Sequence, residues 1–117
     1  SGVRSVNFNE SDLLTCFAND FGYENWCSKA LEYYSDKKDI VILISSSGNS
    51  MNIVNAAKFC KKNNLYLATF TGFNGKNKLN KMGDLNFTLD SKNYNHIEMV
   101  HHIWLLSLVD ILINEEF

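Results

Sequence analysis

Three observations predict that this chain folds as an α/β protein with a parallel sheet. An apolar, mostly β-branched run from Ile40 to Ile44 stops abruptly at small hydroxyl residues, Ser45-Ser46-Ser47-Gly48-Asn49-Ser50. An amphipathic helical pattern over Asn52–Asn63 then leads to a second strand, Leu65–Phe70. Strands and helices alternate along the rest of the chain. A run that is apolar at every position suits a strand buried on both faces, as in a parallel sheet. Alternation of strands and helices at this spacing builds βαβ units.

The elements follow in order. Arg4–Phe8 alternates weakly and predicts a short strand. Glu10-Ser11-Asp12 offers caps for a helix running to about Asn19. Asn19–Tyr23 reads as a turn around Gly22. Glu24–Tyr34 carries Trp26, Cys27, Ala30, Leu31 and Tyr34 at helical spacing. Ser35-Asp36-Lys37-Lys38 is a polar connection, and Ile40–Ile44 is expected to be the central strand. The helix after it turns Ile53, Val54, Ala56, Ala57, Phe59 and Cys60 inward. Thr71–Gly75 is a loop, Asn77–Met82 a short helix and Asn86–Leu89 a short strand. Asn95–Asn114 forms a long final helix. Trp26, Tyr33, Tyr34, Phe59, Phe70 and Trp104 are read as packing residues.

Composition bounds the function. The 117 residues suit a single domain and carry a net charge of −2, which leaves no electrostatic footprint for nucleic acid. Lys37-Lys38 and Lys61-Lys62 read as solvated helix ends. Cys16, Cys27 and Cys60 are widely spaced and odd in number, which argues against a disulfide framework or a zinc knuckle. Reduced thiols fit a cytoplasmic protein. The longest apolar stretch, Ile103–Ile113, is interrupted by Ser107 and Asp110, so no membrane span is expected. Neither GxGxxG nor GxxxxGK[ST] occurs, so no nucleotide cofactor is expected.

The serine loop is where chemistry is expected. Hydroxyls of Ser45, Ser46, Ser47 and Ser50 can donate hydrogen bonds, and Gly48 permits a tight turn. The helix that follows adds free N–H groups and the positive end of its dipole. Phosphate is the usual anion at such a site. The plainer alternative is a Ser-rich turn with Ser50 as a helix N-cap. Ligands of parallel sheets sit at the carboxyl ends of the strands, where this loop and Thr71-Gly72 both lie.

Ile44–Ser50 resembles the Ser-Thr-Ser-Gly-Asn-Ser loop of the sugar isomerase (SIS) family, and is most similar to its phosphoheptose isomerase branch. Ala18-Asn19-Asp20-Phe21-Gly22-Tyr23-Glu24 resembles that branch's Ala-Asn-Asp-Tyr-Gly-Tyr-Glu segment. Leu67–Gly72 and Ile97–His101 match further segments, in the same order. The resemblance implies a three-layer αβα sandwich of SIS type, with a flavodoxin-like parallel sheet. It also implies that residues 1–117 are one SIS domain, the C-terminal two thirds of a longer chain. The family's Gly-Asn-Gly-Gly-Ser loop, which completes the phosphate cradle, has no counterpart here.

The resemblance also carries roles. Ser45, Ser46, Ser47, Asn49 and Ser50 would hold the phosphate, and Asp20 would lie by the sugar. From the residues alone, Asp20 is equally an Asx-turn or cap. On the final helix Glu98, His102 and Leu106 share a face at i, i+4 and i+8. The family has Gln at the position of Glu98 and His at that of Leu106, and those two side chains act in the site and can bind zinc. Here His102 is one turn earlier on the same face. Glu98 and His102 could form a carboxylate–imidazole pair for acid/base work, give two ligands to zinc, or simply be a surface pair. His101 matches a His of many relatives and suits packing or a subunit contact. His96 opens the helix and faces either substrate or solvent.

Two functions are expected from these readings. One is an aldose–ketose sugar-phosphate isomerase of the sedoheptulose 7-phosphate type, working through an enediol. The other is a non-catalytic module of the same fold that binds a phosphosugar or assembles with protein partners, which Leu106 favours. The resemblance implies a homotetramer or homodimer, and the apolar final helix suits that interface.

Overall fold

The structure is a computed structural model and describes residues 2–114. Among these, the order is α1 (Ser11–Phe21), α2 (Trp26–Tyr34), β1 (Ile40–Ser45), α3 (Met51–Lys62), β2 (Tyr66–Thr71), a 3-10 turn (Leu79–Lys81), β3 (Leu85–Thr88) and α4 (Tyr94–Asn114). The strands form one parallel sheet in the order β1-β2-β3. Ile40 pairs with Tyr66 at one end of the first pairing and Ser45 with Thr71 at the other. Ala68 to Thr71 pair with Leu85 to Thr88.

Alternation along the strands sorts side chains to two faces. Val41, Leu43 and Leu67 join Phe17, Trp26, Cys27, Ala30, Leu31, Ala56, Ala57 and Cys60 in one buried core. This core lies between the sheet and α1, α2 and α3. On the opposite face α4 lays Trp104 against Phe70 and Phe87, with ring centroids 6.2 and 5.7 Å apart. The result is the expected three-layer sandwich.

Several expectations are corrected. Arg4–Phe8 forms no strand; Phe8 instead packs its ring against Tyr34 at 5.4 Å. Among the described strands β2 is central and β1 lies at an edge. β1 is accordingly not buried on both faces: Ile40, Ile42 and Ile44 are exposed while Val41, Leu43 and Ser45 are buried. Tyr33 and Tyr34 stand largely in solvent rather than in the core. Cys16 is exposed, whereas Cys27 and Cys60 are buried, and all three are free thiols. Lys61 is not merely solvated, since its Nζ lies 2.6 Å from Asp84 Oδ1.

The final helix corrects one more. α4 is long and apolar enough to cross a membrane by length and composition, with a mean hydropathy of 1.4 over its most apolar stretch. Ile97 and His101 are its buried residues, and its remaining apolar side chains are largely uncovered.

Candidate phosphosugar site

The serine loop leaves the carboxyl end of β1 and turns into the N-terminus of α3. Its shape is set from within. The Gly48 amide donates to Ser45 O at 3.0 Å and to Ser45 Oγ at 3.1 Å. Asn49 Nδ2 donates to Ser47 O at 3.1 Å. The loop after β2 holds it from outside. Gly72 N donates to Ser46 O at 2.9 Å, Leu79 N to Gly48 O at 3.0 Å, and Lys78 N to Asn49 Oδ1 at 3.3 Å.

Gly48 cannot be replaced without cost. Its φ is +63°, and an added Cβ would run into the buried Asn77 side chain. Left-handed backbone disfavours side chains, and here the space is filled as well.

What remains free in the loop suits an anion. Ser50 occupies the N-cap of α3, yet its side chain makes no capping bond. The plain N-cap role is therefore not what its hydroxyl does. Ile53 N and Val54 N donate to Ser50 O, while the amides of Met51 and Asn52 have no acceptor among the described residues. They point out of the positive end of a 12-residue helix.

The loop opens on a cleft of about 700 Å³. Its wall includes Ser45, Ser46, Ser47 and Ser50 from the loop, Asn52 and Ile53 from α3, Tyr23 and Glu24 from the α1–α2 turn, Trp26 from the start of α2, and Tyr94 from the start of α4. Asn55 braces the turn, donating from Nδ2 to Glu24 O at 3.0 Å.

Not every expected site residue reaches this wall. Asn49 spends its side chain on shaping the loop. Asp20 is exposed near the end of α1, where its carboxylate accepts from Asn19 Nδ2 at 3.0 Å. Glu98 and His102 are exposed on α4 and are not part of the wall. They do continue a row begun by Tyr94, at i, i+4 and i+8, so Glu98 lies about 6 Å further along the helix axis.

His101 is buried. Its Nε2 lies 2.9 Å from Thr71 O, and its ring meets Phe70 edge-on. The bond to a carbonyl makes Nε2 the protonated nitrogen. His101 thus ties α4 to the end of β2, in line with a packing role.

A zinc site needs three or four ligands from His, Cys, Asp or Glu. No such group of three stands together among the described residues. The residues present therefore do not fit a zinc ion by themselves.

Sequence reasoning missed Tyr23, Glu24 and Tyr94 as wall residues and read Trp26 as core alone. Tyr23 and Glu24 were signalled by their place just after Asp20 in a matched segment. Tyr94 carried no signal, since the folding back of α4 brings it to the loop.

No protein-family profile matches the chain. Among curated proteins it is similar to the phosphoheptose isomerase of Buchnera aphidicola subsp. Acyrthosiphon pisum, with 28% identity over 99% of this chain and 60% of the relative. It is also similar to that of Fusobacterium nucleatum, with 31% identity over 92% of this chain and 55% of the relative. The chain thus spans between half and two thirds of the length of these relatives. Among solved structures, a phosphoheptose isomerase from Neisseria gonorrhoeae aligns with a TM-score of 0.82 at 24% identity, covering 88% of this chain and 58% of the other. One from Francisella tularensis aligns at 0.81. These structures share the fold.

Proposed function

We propose that this chain supplies the phosphate-binding part of an aldose–ketose isomerase acting on a seven-carbon sugar phosphate such as sedoheptulose 7-phosphate. The observation that carries the reading is the serine loop. Its hydroxyls and the unbonded amides of Met51 and Asn52 face one cleft at the positive end of α3. Similarity to phosphoheptose isomerases over nearly the whole chain supports the sugar.

The chemistry is a proton transfer. A base removes a proton from the carbon beside the carbonyl, and the carbonyl oxygen gains one, giving an enediol. The reverse steps at the neighbouring carbon complete the exchange, with no oxidant or reductant consumed. Phosphate held by Ser45, Ser46, Ser47 and Ser50 anchors the substrate, so remote binding energy orients the reacting carbons. Asn49 acts by fixing the loop, and Asp20 stands near the turn that carries Tyr23 and Glu24. Glu98 and His102 are the acid/base candidates, reached by a substrate that extends past Tyr94 along α4. The uncovered apolar surface of α4 would pack against further copies of the chain in a homodimer or homotetramer.

A second reading keeps the binding and drops the turnover. The position of Glu98 and His102 off the cleft wall, with exposed Leu106 beyond them, favours it.

Deuterium exchange separates the two. The full-length protein is incubated with sedoheptulose 7-phosphate in deuterated water, and label at the carbon beside the carbonyl is followed by NMR. Label entering faster than in a protein-free control is the expected result. Binding without exchange would mean a sensor or carrier. Unchanged sugar-phosphate affinity in a Ser45→Ala, Ser50→Ala double variant would overturn both readings.

A further inference from the structure

We infer that Asn77 is a positioning residue of the serine loop: it holds Gly48 from behind and so sets where the loop's hydroxyls stand to receive a phosphate. The inference rests on the phosphosugar reading above and adds the residue that keeps that site in shape.

Asn77 is 6% exposed and is not part of the cleft wall. Its amide lies against the Cα of Gly48, in the space that any Cβ there would need. Its Oδ1 accepts from the Asn80 N–H at 2.8 Å, which braces the start of the 3-10 turn. That segment sends two backbone amides into the serine loop, Leu79 N to Gly48 O at 3.0 Å and Lys78 N to Asn49 Oδ1 at 3.3 Å. Leu79 has no exposed surface, so the grip is anchored in the core.

Gly48 and Asn49 in turn orient two serines. The Gly48 amide donates to Ser45 Oγ at 3.1 Å, and the Asn49 amide to Ser47 Oγ at 3.3 Å. A hydroxyl whose oxygen already accepts a backbone hydrogen bond still has its own O–H to give. Ser45 and Ser47 both line the cleft, so a shift of Gly48 and Asn49 would move the donors offered there. Packing alone does not account for Asn77. Its Nδ2 is buried without an acceptor among the described residues. A stranded donor costs stability, so an apolar side chain of similar size would serve the core better.

The test uses the full-length protein, with inorganic phosphate and sedoheptulose 7-phosphate titrated by calorimetry well below the unfolding midpoint. In Asn77→Ala both probes are expected to bind about tenfold more weakly and by the same factor, because the phosphate they share loses its aligned donors. Amide hydrogen exchange at Gly48 and Asn49 should quicken in the ligand-free variant. Asn77→Ser keeps an oxygen for the Asn80 N–H but not the amide over Gly48. It should regain part of any lost thermal stability and none of the affinity. A lower unfolding midpoint with both affinities unchanged would show a merely structural residue and overturn the inference. Full affinity in Asn77→Ser, or a loss confined to the sugar phosphate, would overturn it too. If the unaltered protein bound neither probe, the phosphosugar reading itself would fall and take the inference with it.

Discussion

The two faces of the sheet are built from similarly apolar sequence but differ sharply in what covers them. On one face Leu67, Val41 and Leu43 meet α1, α2 and α3 and are almost fully buried. On the other, α4 covers Phe70 and Phe87 and leaves Ile40, Ile42 and Ile44 of β1 open. Most of α4 itself is uncovered, including Met99, Ile103, Leu106 and Ile113. Burial at about 25 cal/mol per Å² stabilises only the surface that is removed from water. The first face is therefore where stability within one chain resides. The second is surface on which further protein can gain burial.

Truncation should expose this contrast most strongly. Leu67→Ala in the closed core should cost about 2–5 kcal/mol in urea unfolding of the full-length protein. Ile103→Ala on α4 should cost less than about 0.5 kcal/mol if that face is open in solution. A cost for Ile103→Ala as large as for Leu67→Ala, rising with protein concentration, would show the second face closed by another copy.

Thiol chemistry sharpens the same contrast. Burial pushes the Cys27 thiol up to about 11 and the Cys60 thiol up to about 12. In the native protein a thiol reagent at pH 8 should modify exposed Cys16 within minutes and the other two only on unfolding. The linkage has a definite sign. A thiol whose pKa is higher folded than unfolded stabilises the native state while it stays protonated. That contribution is complete below the unfolded value near 9 and is lost as pH rises through 11 to 12. Rapid labelling of all three at pH 8 would mean that the core opens.

The smallest effect is expected at the rim of the closed face. Lys61 and the backbone N–H of Leu67 hold the Asp84 carboxyl below its usual range. A depressed carboxyl adds stability above the unfolded pKa, and that stability is lost as pH falls through the lower folded value. Asp84→Asn should remove a small share of the acid sensitivity, because the pair is solvent-exposed and screened. The check is the midpoint of acid unfolding, with no change expected at neutral pH beyond that of an ordinary surface variant.

Much of this molecule was legible along the chain. The strand–serine–helix sequence located β1, its loop and α3 to within a residue or so, because period and punctuation are local properties. Arg4–Phe8 was misread, since five weakly alternating residues have no strand partner among the described residues. The serine loop was read as a candidate anion site from hydroxyls and a glycine, and the structure adds that the Ser50 side chain makes no capping bond. Trp26 was legible as buried, but not as a cleft wall. That role depends on α1, α2 and the serine loop meeting at one corner.

The sequence by itself determined the α/β alternation, the parallel pairing it demands and the chemical character of the serine loop. These follow from side-chain pattern and backbone preference within a few residues. Only the tertiary structure decided that β1 sits at an edge among the described strands, that α4 is mostly uncovered, and that Glu24, Trp26 and Tyr94 share a cleft wall with the loop while Glu98 and His102 do not. Those facts depend on contacts between segments distant in the chain, and no local pattern specifies which surfaces will meet.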